Sequence, residues 1–97
     1  MRRRTDANQS EIMAALVLAG ASVFSTSSQG AGFPDLVAGY RGKNFLLEIK
    51  DGKKSPSRTK LSTSQRSFVI RWRGTVHTVS SLDEALLVVI GGYVREV

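Results

Sequence analysis

Length and composition set the first limits on what this protein can be. At 97 residues, with 41% hydrophobic and 23% charged side chains, the chain suffices for one small globular domain, whose modest core favours dimerisation. The absence of cysteine excludes disulfide bonds, thiolate zinc sites and thiol catalysis, and no stretch approaches the ~20 apolar residues of a membrane span. With a net charge of +6, we expect one soluble, cytoplasmic domain over residues 1–97 that binds an acidic partner.

The first predicted element is a helix from about Asn8 to Ala19, ended by Gly20. Asn8 and Glu11 have the spacing of a capping box. Helical periodicity predicts a buried stripe consisting of Ile12, Ala15, Leu16 and Ala19. Glu11 lies at the edge of that stripe. It either completes the cap or reaches from the helix into a site, and helical geometry alone does not decide between the two.

A strand at Ala21–Ser25 and a small-residue loop at 26–33 lead to the most informative stretch, a predicted hairpin over residues 34–50. A tight turn at 41–44 joins its two strands. Because side chains alternate along a strand, the apolar residues Phe45, Leu47 and Ile49 share one face. The opposite face carries Leu46, Glu48 and Lys50. Asp35 begins the neighbouring strand. Charges beside aliphatic neighbours are costly unless they are paired or bind something, so this face is a candidate site.

A basic stretch and a second helix follow the hairpin. Between Lys50 and Arg73, eight basic residues stand against Asp51 alone, which is typical of a phosphate-backbone binder and equally of a solvated charged loop. The helix is predicted over Thr63–Arg73, with a capping box at Ser62 and Gln65. Its stripe of Gln65, Phe68, Val69 and Trp72 should face the sheet. Gln65 either only caps the helix or also points at the site of Glu48 and Lys50, and the pattern leaves both open.

The last predicted strand is Thr75–Val79, where His77 is interpreted as a surface or packing residue. Ser81 should cap a short helix that continues through Leu87. The apolar residues 88–94 are compatible with a strand or with a helix end. This apolar tail is long for an exposed terminus, so contact with a second subunit is a further expectation.

Together these elements predict an α/β domain in the order α-β-β-β-α-β-α, with acids on two adjacent strands. Asp35 and Glu48 suit Mg²⁺, a hard cation that takes oxygen ligands and keeps several waters. Lys50, on the same face as Glu48, is suited to position a metal-bound water or to stabilise charge on a phosphate. The alternative is a surface salt bridge between Glu48 and Lys50, worth at most ~1 kcal/mol.

The full set of motifs is more specific than the acid pair. Pro34-Asp35, twelve residues and then Glu48-Ile49-Lys50 resemble the signature of the PD-(D/E)XK nuclease superfamily. The chain more closely resembles the small stand-alone VRR-NUC domains of phages and bacteria. That resemblance covers nearly the full length and includes Glu11, the Gly32–Leu36 entry to the first hairpin strand, and Gln65.

The resemblance implies a restriction-endonuclease-like α-β-β-β-α-β core, with a mixed sheet flanked by helices. It also implies Mg²⁺ or Mn²⁺ held by Asp35, Glu48 and the Ile49 carbonyl, with Glu11 contributing to the metal site or to its supporting groups. Lys50 would be the catalytic lysine, and Gln65 would orient Lys50 or contact the phosphate. Archaeal-type resolvases also carry a serine in the loop before the Pro-Asp motif, a part that Ser27 or Ser28 would take here.

The implied activity is that of a homodimeric, structure-selective DNA endonuclease acting at four-way (Holliday) junctions. Its DNA-binding residues are expected to be Lys53, Lys54, Arg58, Lys60 and Arg66, all from the basic stretch. Two alternatives stay open. A nuclease of the same chemistry would act on flapped, nicked or linear duplex DNA, and a non-catalytic basic module would bind DNA without cutting it.

Overall fold

The computed structural model describes residues 7–50 and 61–91. Three α-helices, four strands and one π-helical turn make up the described chain. In order they are α1 (Ala7–Leu18), β1 (Ser22–Ser25), β2 (Leu36–Tyr40), β3 (Lys43–Ile49), α2 (Thr63–Arg71), β4 (Val76–Val79), α3 (Leu82–Leu86) and the π-helical turn Leu87–Gly91. No helix among these residues is both long and apolar enough to cross a membrane.

The four strands form one mixed sheet in the order β1-β2-β3-β4. The first three are antiparallel neighbours, whereas β4 runs parallel to β3. A parallel pair needs a crossover connection, and α2 lies in the segment that supplies it. The prediction of a small α/β domain with a mixed sheet is therefore confirmed.

The turn of the β2–β3 hairpin consists of two residues. Arg41 and Gly42 both have positive φ, at 50° and 81°. Two left-handed residues in a row match the twist of an antiparallel pair in a two-residue hairpin. The turn predicted at 41–44 is therefore confirmed but shorter, because Lys43 and Asn44 are already paired in the sheet.

The hydrophobic core lies on one face of the sheet. Leu36, Ala38 and Leu47 are fully buried there and contact the interior side of α1, α3 and the π-helical turn. The register pairs Leu36 with Leu47 and Ala38 with Phe45, which places all four on one face. Phe45 and Ile49 are half-buried at the margin of the core. Because side chains alternate, Glu48 projects from the opposite face of β3.

Helix α1 begins earlier than predicted and has no cap at Asn8. The helix already includes Ala7, and the Asn8 amide donates to the carbonyl oxygens of Ser80 at 3.3 Å and Lys50 at 3.5 Å. The predicted Asn8–Glu11 capping box is wrong, because Asn8 ties the helix to the ends of β3 and β4 instead. The predicted stripe is buried at Ile12 and Leu16, half-buried at Ala15 and exposed at Ala19.

Helix α2 has its predicted capping box but not its predicted burial. It ends at Arg71, because Trp72 takes an extended conformation with ψ of 126°. None of its residues is buried, and Val69 and Trp72 remain 37% and 43% exposed. Phe68 packs edge-on against Phe33 and stacks on Trp72. The predicted sheet-facing stripe therefore contacts the 26–33 loop as well and is only partly covered.

The last elements follow the prediction as far as they are described. Ser81 caps α3, its Oγ accepting from the Glu84 N–H at 3.1 Å. Residues 87–91 continue as a π-helical turn, so a helix end replaces the alternative of a strand there. The rest of the predicted apolar tail, at 92–94, lies outside the described residues. The His77 ring packs against Phe45 with centroids 5.9 Å apart, and burial lowers its pKa, which confirms a packing residue.

Candidate functional site

An open cleft of about 350 Å³ lies where the beginning of β2, the end of β3 and the beginning of α2 meet. The 26–33 loop and one residue of α1 complete its walls. Its lining residues are Gln9, Ser27, Gly30, Ala31, Gly32, Phe33, Asp35, Glu48, Ile49, Ser62, Ser64 and Gln65. Three of the four predicted catalytic residues are among them, Asp35, Glu48 and Gln65.

The hairpin register brings the two acids together. Leu36 pairs with Leu47, so the next position outward places Asp35 opposite Glu48. Directly opposed residues of an antiparallel pair have Cβ atoms about 5 Å apart. Asp35 is anchored further by its Oδ2, which accepts a hydrogen bond from the Ile49 N–H at 2.9 Å. The spacing of twelve residues across a two-residue turn is thus what creates the carboxyl pair.

Glu48 is a buried acid, with 2% of its surface exposed. Its pKa is raised to about 8, first by burial, then by the charge of Asp35 and by a hydrogen bond with that carboxyl. The positive charge of Lys50 and the Gln65 amide act in the opposite direction without cancelling the rise. A pKa of about 8 favours the protonated Glu48 carboxyl at neutral pH when no cation is bound.

Gln65 combines the two roles that the sequence left open. Its Oε1 accepts from the Ser62 N–H at 2.8 Å and its own N–H donates to Ser62 Oγ at 3.2 Å, which completes the capping box. Its Nε2 donates to Glu48 Oε2 at 2.6 Å. One amide thus caps α2 and fixes the carboxyl group. Its partner in the site is Glu48, and its expected role in orienting Lys50 or contacting the phosphate stays a prediction.

Lys50 follows the last residue of β3, where its N–H donates to the Val79 carbonyl at 2.9 Å. Its side chain is half-buried and does not line the cleft itself. Its charge nevertheless lowers the pKa of Glu48, which places the ammonium within electrostatic reach of the carboxyl pair. The structure therefore brings the fourth predicted catalytic residue to the neighbourhood of the site.

The residue that α1 contributes to the cleft is Gln9, not Glu11. Glu11 is exposed and does not line the cleft, whereas Gln9 is 6% exposed and does. The sequence carried a signal for Gln9, because it precedes Ile12 by three positions and Leu16 by seven and so continues their buried stripe. A polar residue on an otherwise apolar stripe was the feature that sequence reasoning missed.

The 26–33 loop forms one wall of the cleft and is closed on itself by Thr26. The Thr26 N–H donates to the Asp35 carbonyl and its Oγ1 to the Pro34 carbonyl, both at 2.8 Å. Of the two serines expected to be alternatives, Ser27 lines the cleft and Ser28 is exposed outside it. Gly32 approaches α2 so closely that a Cβ there would collide with the Ser64 carbonyl.

We expect Gly32→Ala to destabilise the protein by about 3 kcal/mol or more, since a side chain would force the loop away from α2 and also strain a φ of 80°. Gly30→Ala is the matched control. Its φ of 78° is similar, but nothing lies within 4 Å of the added Cβ, so it should cost only about 1 kcal/mol. Thermal denaturation of both variants measures the difference. Equal losses would show that the contact with Ser64 contributes nothing.

The predicted DNA-binding residues divide between described and undescribed parts of the chain. Arg66 is exposed on α2, one residue beyond Gln65. The others, Lys53, Lys54, Arg58 and Lys60, lie outside the described residues.

Asp35 and Glu48 supply carboxyl oxygens, the ligands that a hard divalent cation prefers. No group of three or more His, Cys, Asp and Glu side chains among residues 7–50 and 61–91 is arranged to hold a metal. Mg²⁺ needs fewer protein ligands than that, since it is commonly bound through one or two carboxylates and keeps several waters. The buried Glu48 carboxyl and the half-buried Asp35 carboxyl, with the Ile49 main chain beside them, fit that requirement.

Comparison with known proteins finds no relative of this chain. No family model matches the chain, no curated protein is detectably similar to it, and no solved structure matches it. The residues of the cleft and their geometry are therefore what indicate a function.

Proposed function

We propose that this protein is a metal-dependent DNA endonuclease that hydrolyses phosphodiester bonds in branched DNA, with the four-way junction as its substrate and the homodimer as its active form. The observation that carries the proposal is the Asp35–Glu48 carboxyl pair at an open cleft, in which Glu48 is buried and has its pKa raised to about 8. A small domain keeps such a pair at a cost in stability, and strongly perturbed acids in a cleft are typical of functional sites.

The cleft residues divide the chemistry among themselves. Asp35, Glu48 and the Ile49 carbonyl would hold Mg²⁺ or Mn²⁺, which when bound lowers the pKa of its water and neutralises phosphate charge. Gln65 holds the Glu48 carboxylate in one orientation through the 2.6 Å hydrogen bond. Lys50, within electrostatic reach of that pair, stabilises the negative charge that develops on the phosphate.

The order of the elements supports the same proposal. A helix, an antiparallel three-stranded unit, a crossover helix and a parallel fourth strand agree with the restriction-endonuclease-like core that the VRR-NUC resemblance implies. In that arrangement Glu48 lies on β3 and Asp35 directly precedes the adjacent β2, at the end where α2 begins. This is the arrangement that the Pro34-Asp35 and Glu48-Ile49-Lys50 motifs imply.

The charge distribution supports DNA as the substrate. The chain carries a net charge of +6, and Arg66 is exposed on the helix that begins at the cleft. With Lys53, Lys54, Arg58 and Lys60 it forms the proposed DNA-binding set, which neutralises backbone phosphates around the cut site. A four-way junction presents two equivalent strands, so a symmetric dimer with two clefts is the matching enzyme.

A cleavage assay tests the proposal. Wild-type protein is incubated with a four-way junction, a flap, a nicked duplex and a linear duplex in Mg²⁺, Mn²⁺, Ca²⁺ or EDTA. We expect cleavage of the junction in Mg²⁺ and Mn²⁺ and none in EDTA, with a dimer in sedimentation. Preferential cutting of another substrate would favour the alternative nuclease. Binding that falls steeply with salt, without hydrolysis in any metal, would mean a DNA-binding module.

A further inference from the structure

A buried amide on α1 lies at the cleft without a role in the chemistry above. Gln9 is 6% exposed and lines the cleft together with Asp35 and Glu48. Its Nε2 donates to Ser25 Oγ at 3.3 Å, and that hydroxyl lies 3.3 Å from Ser27 Oγ, whose residue lines the same cleft. A chain of three polar groups therefore runs from the first helix to the cleft wall.

The other end of the Gln9 amide is open to solvent. None of the described residues donates a hydrogen bond to its Oε1, and no described side chain keeps a fully buried nitrogen or oxygen without a partner. Since Oε1 is unpartnered within the described chain, it must be reached by solvent, and the cleft is the space that Gln9 lines. An amide oxygen there is a neutral acceptor with two lone pairs, suited to a water molecule.

We propose that Gln9 is a positioning residue of this site, which fixes the Ser25 and Ser27 hydroxyls through one end of its amide and orders cleft water beside the Asp35–Glu48 pair through the other. This inference rests on the proposed function, because the ordered water matters only if a cation and a phosphodiester occupy the cleft. Gln9 acts on the reacting groups only through water and the serine hydroxyls, so it affects the placement of the reacting groups.

The neutrality of Gln9 has a consequence for metal affinity. The cleft contains two acids, Asp35 and Glu48, and a neutral amide at Gln9 adds no third negative charge. The affinity of an oxygen-ligand site for a divalent cation rises with the number of charged ligands and with its rigidity. Because a hydroxyl either donates or accepts, Gln9→Glu retains the contact with Ser25 while adding that charge.

Calorimetric titration with Mn²⁺ of wild type and three variants tests the inference. We expect Gln9→Glu to bind Mn²⁺ about tenfold more tightly, and Gln9→Leu about tenfold more weakly, in the range of groups that support metal ligands. Gln9→Leu should also lower kcat on the junction by about tenfold with KM unchanged. Gln29→Glu is the matched control. It adds the same charge at an exposed residue of the 26–33 loop that does not line the cleft, and should bind Mn²⁺ as wild type does.

The outcomes separate this inference from the function on which it rests. If wild type binds Mn²⁺ and cuts DNA while Gln9→Glu and Gln9→Leu bind the metal equally well, Gln9 is only structural and the inference is overturned. If wild type neither binds Mn²⁺ nor cuts DNA, the proposed function fails and the inference fails with it. Thermal denaturation without metal identifies a variant that does not fold. If either Gln9→Glu or Gln9→Leu fails to fold, the Mn²⁺ affinity of the other variant decides whether the inference holds.

Discussion

Replacing Glu48 by glutamine should abolish metal-dependent cleavage and leave the protein at least as stable as wild type. Glutamine is nearly isosteric with the protonated acid, and its amide can still donate to Asp35 and accept from Gln65. The neutral side chain no longer supplies a charged oxygen ligand. We expect kcat on the junction to fall on the order of 1,000-fold or more, since the metal ion supplies several kcal/mol of transition-state stabilisation.

The separation of activity from stability is the informative part of this result. Most losses of activity in a small domain come with a loss of stability, because a substitution disturbs the packing. Here burial and the charge of Asp35 raise the pKa of Glu48 to about 8, so at neutral pH Glu48→Gln exchanges one neutral side chain for another of nearly the same shape. Circular dichroism melts in EDTA, paired with Mn²⁺ titration and the cleavage assay, measure both quantities.

Two further variants control the experiment. Asp83→Asn makes the same change from acid to amide at an exposed position on α3, outside the cleft, and should cut DNA as wild type does. Asp35→Asn removes the other member of the pair and should abolish cleavage as well. If Glu48→Gln cuts at the wild-type rate in Mg²⁺, the carboxyl pair is not the metal site and the proposed function loses its main support.

The carboxyl pair could be predicted from the sequence because its cause is local. Alternation along a strand, a turn at Arg41 and Gly42, and twelve residues between the acids together determine the register of one hairpin. The apolar face at Leu47 follows from the same alternation. The capping box at Ser62 and Gln65 is local too, since its hydrogen bonds span three residues.

The contacts that the sequence did not reveal are those between distant elements. Helical spacing places Gln9 and Glu11 within one turn of α1, but only the packing of that helix beside Ser25 decides which of them reaches the cleft. Similarly, the stripe of α2 was expected to face the sheet, whereas Phe68 packs on Phe33 in a loop whose path depends on three positive-φ residues, Gly30, Ala31 and Gly32. No periodicity encodes the position of such a loop.

The raised pKa of Glu48 makes a second, independent prediction, which concerns stability against pH. The pKa of Glu48 has its ordinary value of 4.5 in the unfolded chain and rises to about 8 in the folded protein. Between these values the folded state binds more protons than the unfolded state, so stability is fully present below about pH 4.5 and is lost as pH rises towards 8. Within that window the loss approaches about 1.4 kcal/mol per pH unit.

The titration of His77 changes the stability in the opposite direction with pH. It therefore determines the pH range in which the effect of Glu48 is best measured. Burial lowers its pKa from the ordinary value of 6.5, so its contribution to stability is present above that pH and is lost as pH falls below it. Above pH 6.5 this effect is nearly constant. A decline in stability between pH 6.5 and pH 8 is therefore attributable to the carboxyl pair.

In EDTA we expect the melting temperature to fall by roughly 10 °C between pH 6.5 and pH 8, since a loss of about 2 kcal/mol corresponds to that shift in a domain of this size. A saturating concentration of Mn²⁺ should remove most of the decline, because the cation takes the place of the Glu48 proton. Glu48→Gln should show the flat profile without metal, as it has no proton to lose. A decline of the same size in Glu48→Gln would assign the pH dependence to another group and leave Glu48 ionised at neutral pH.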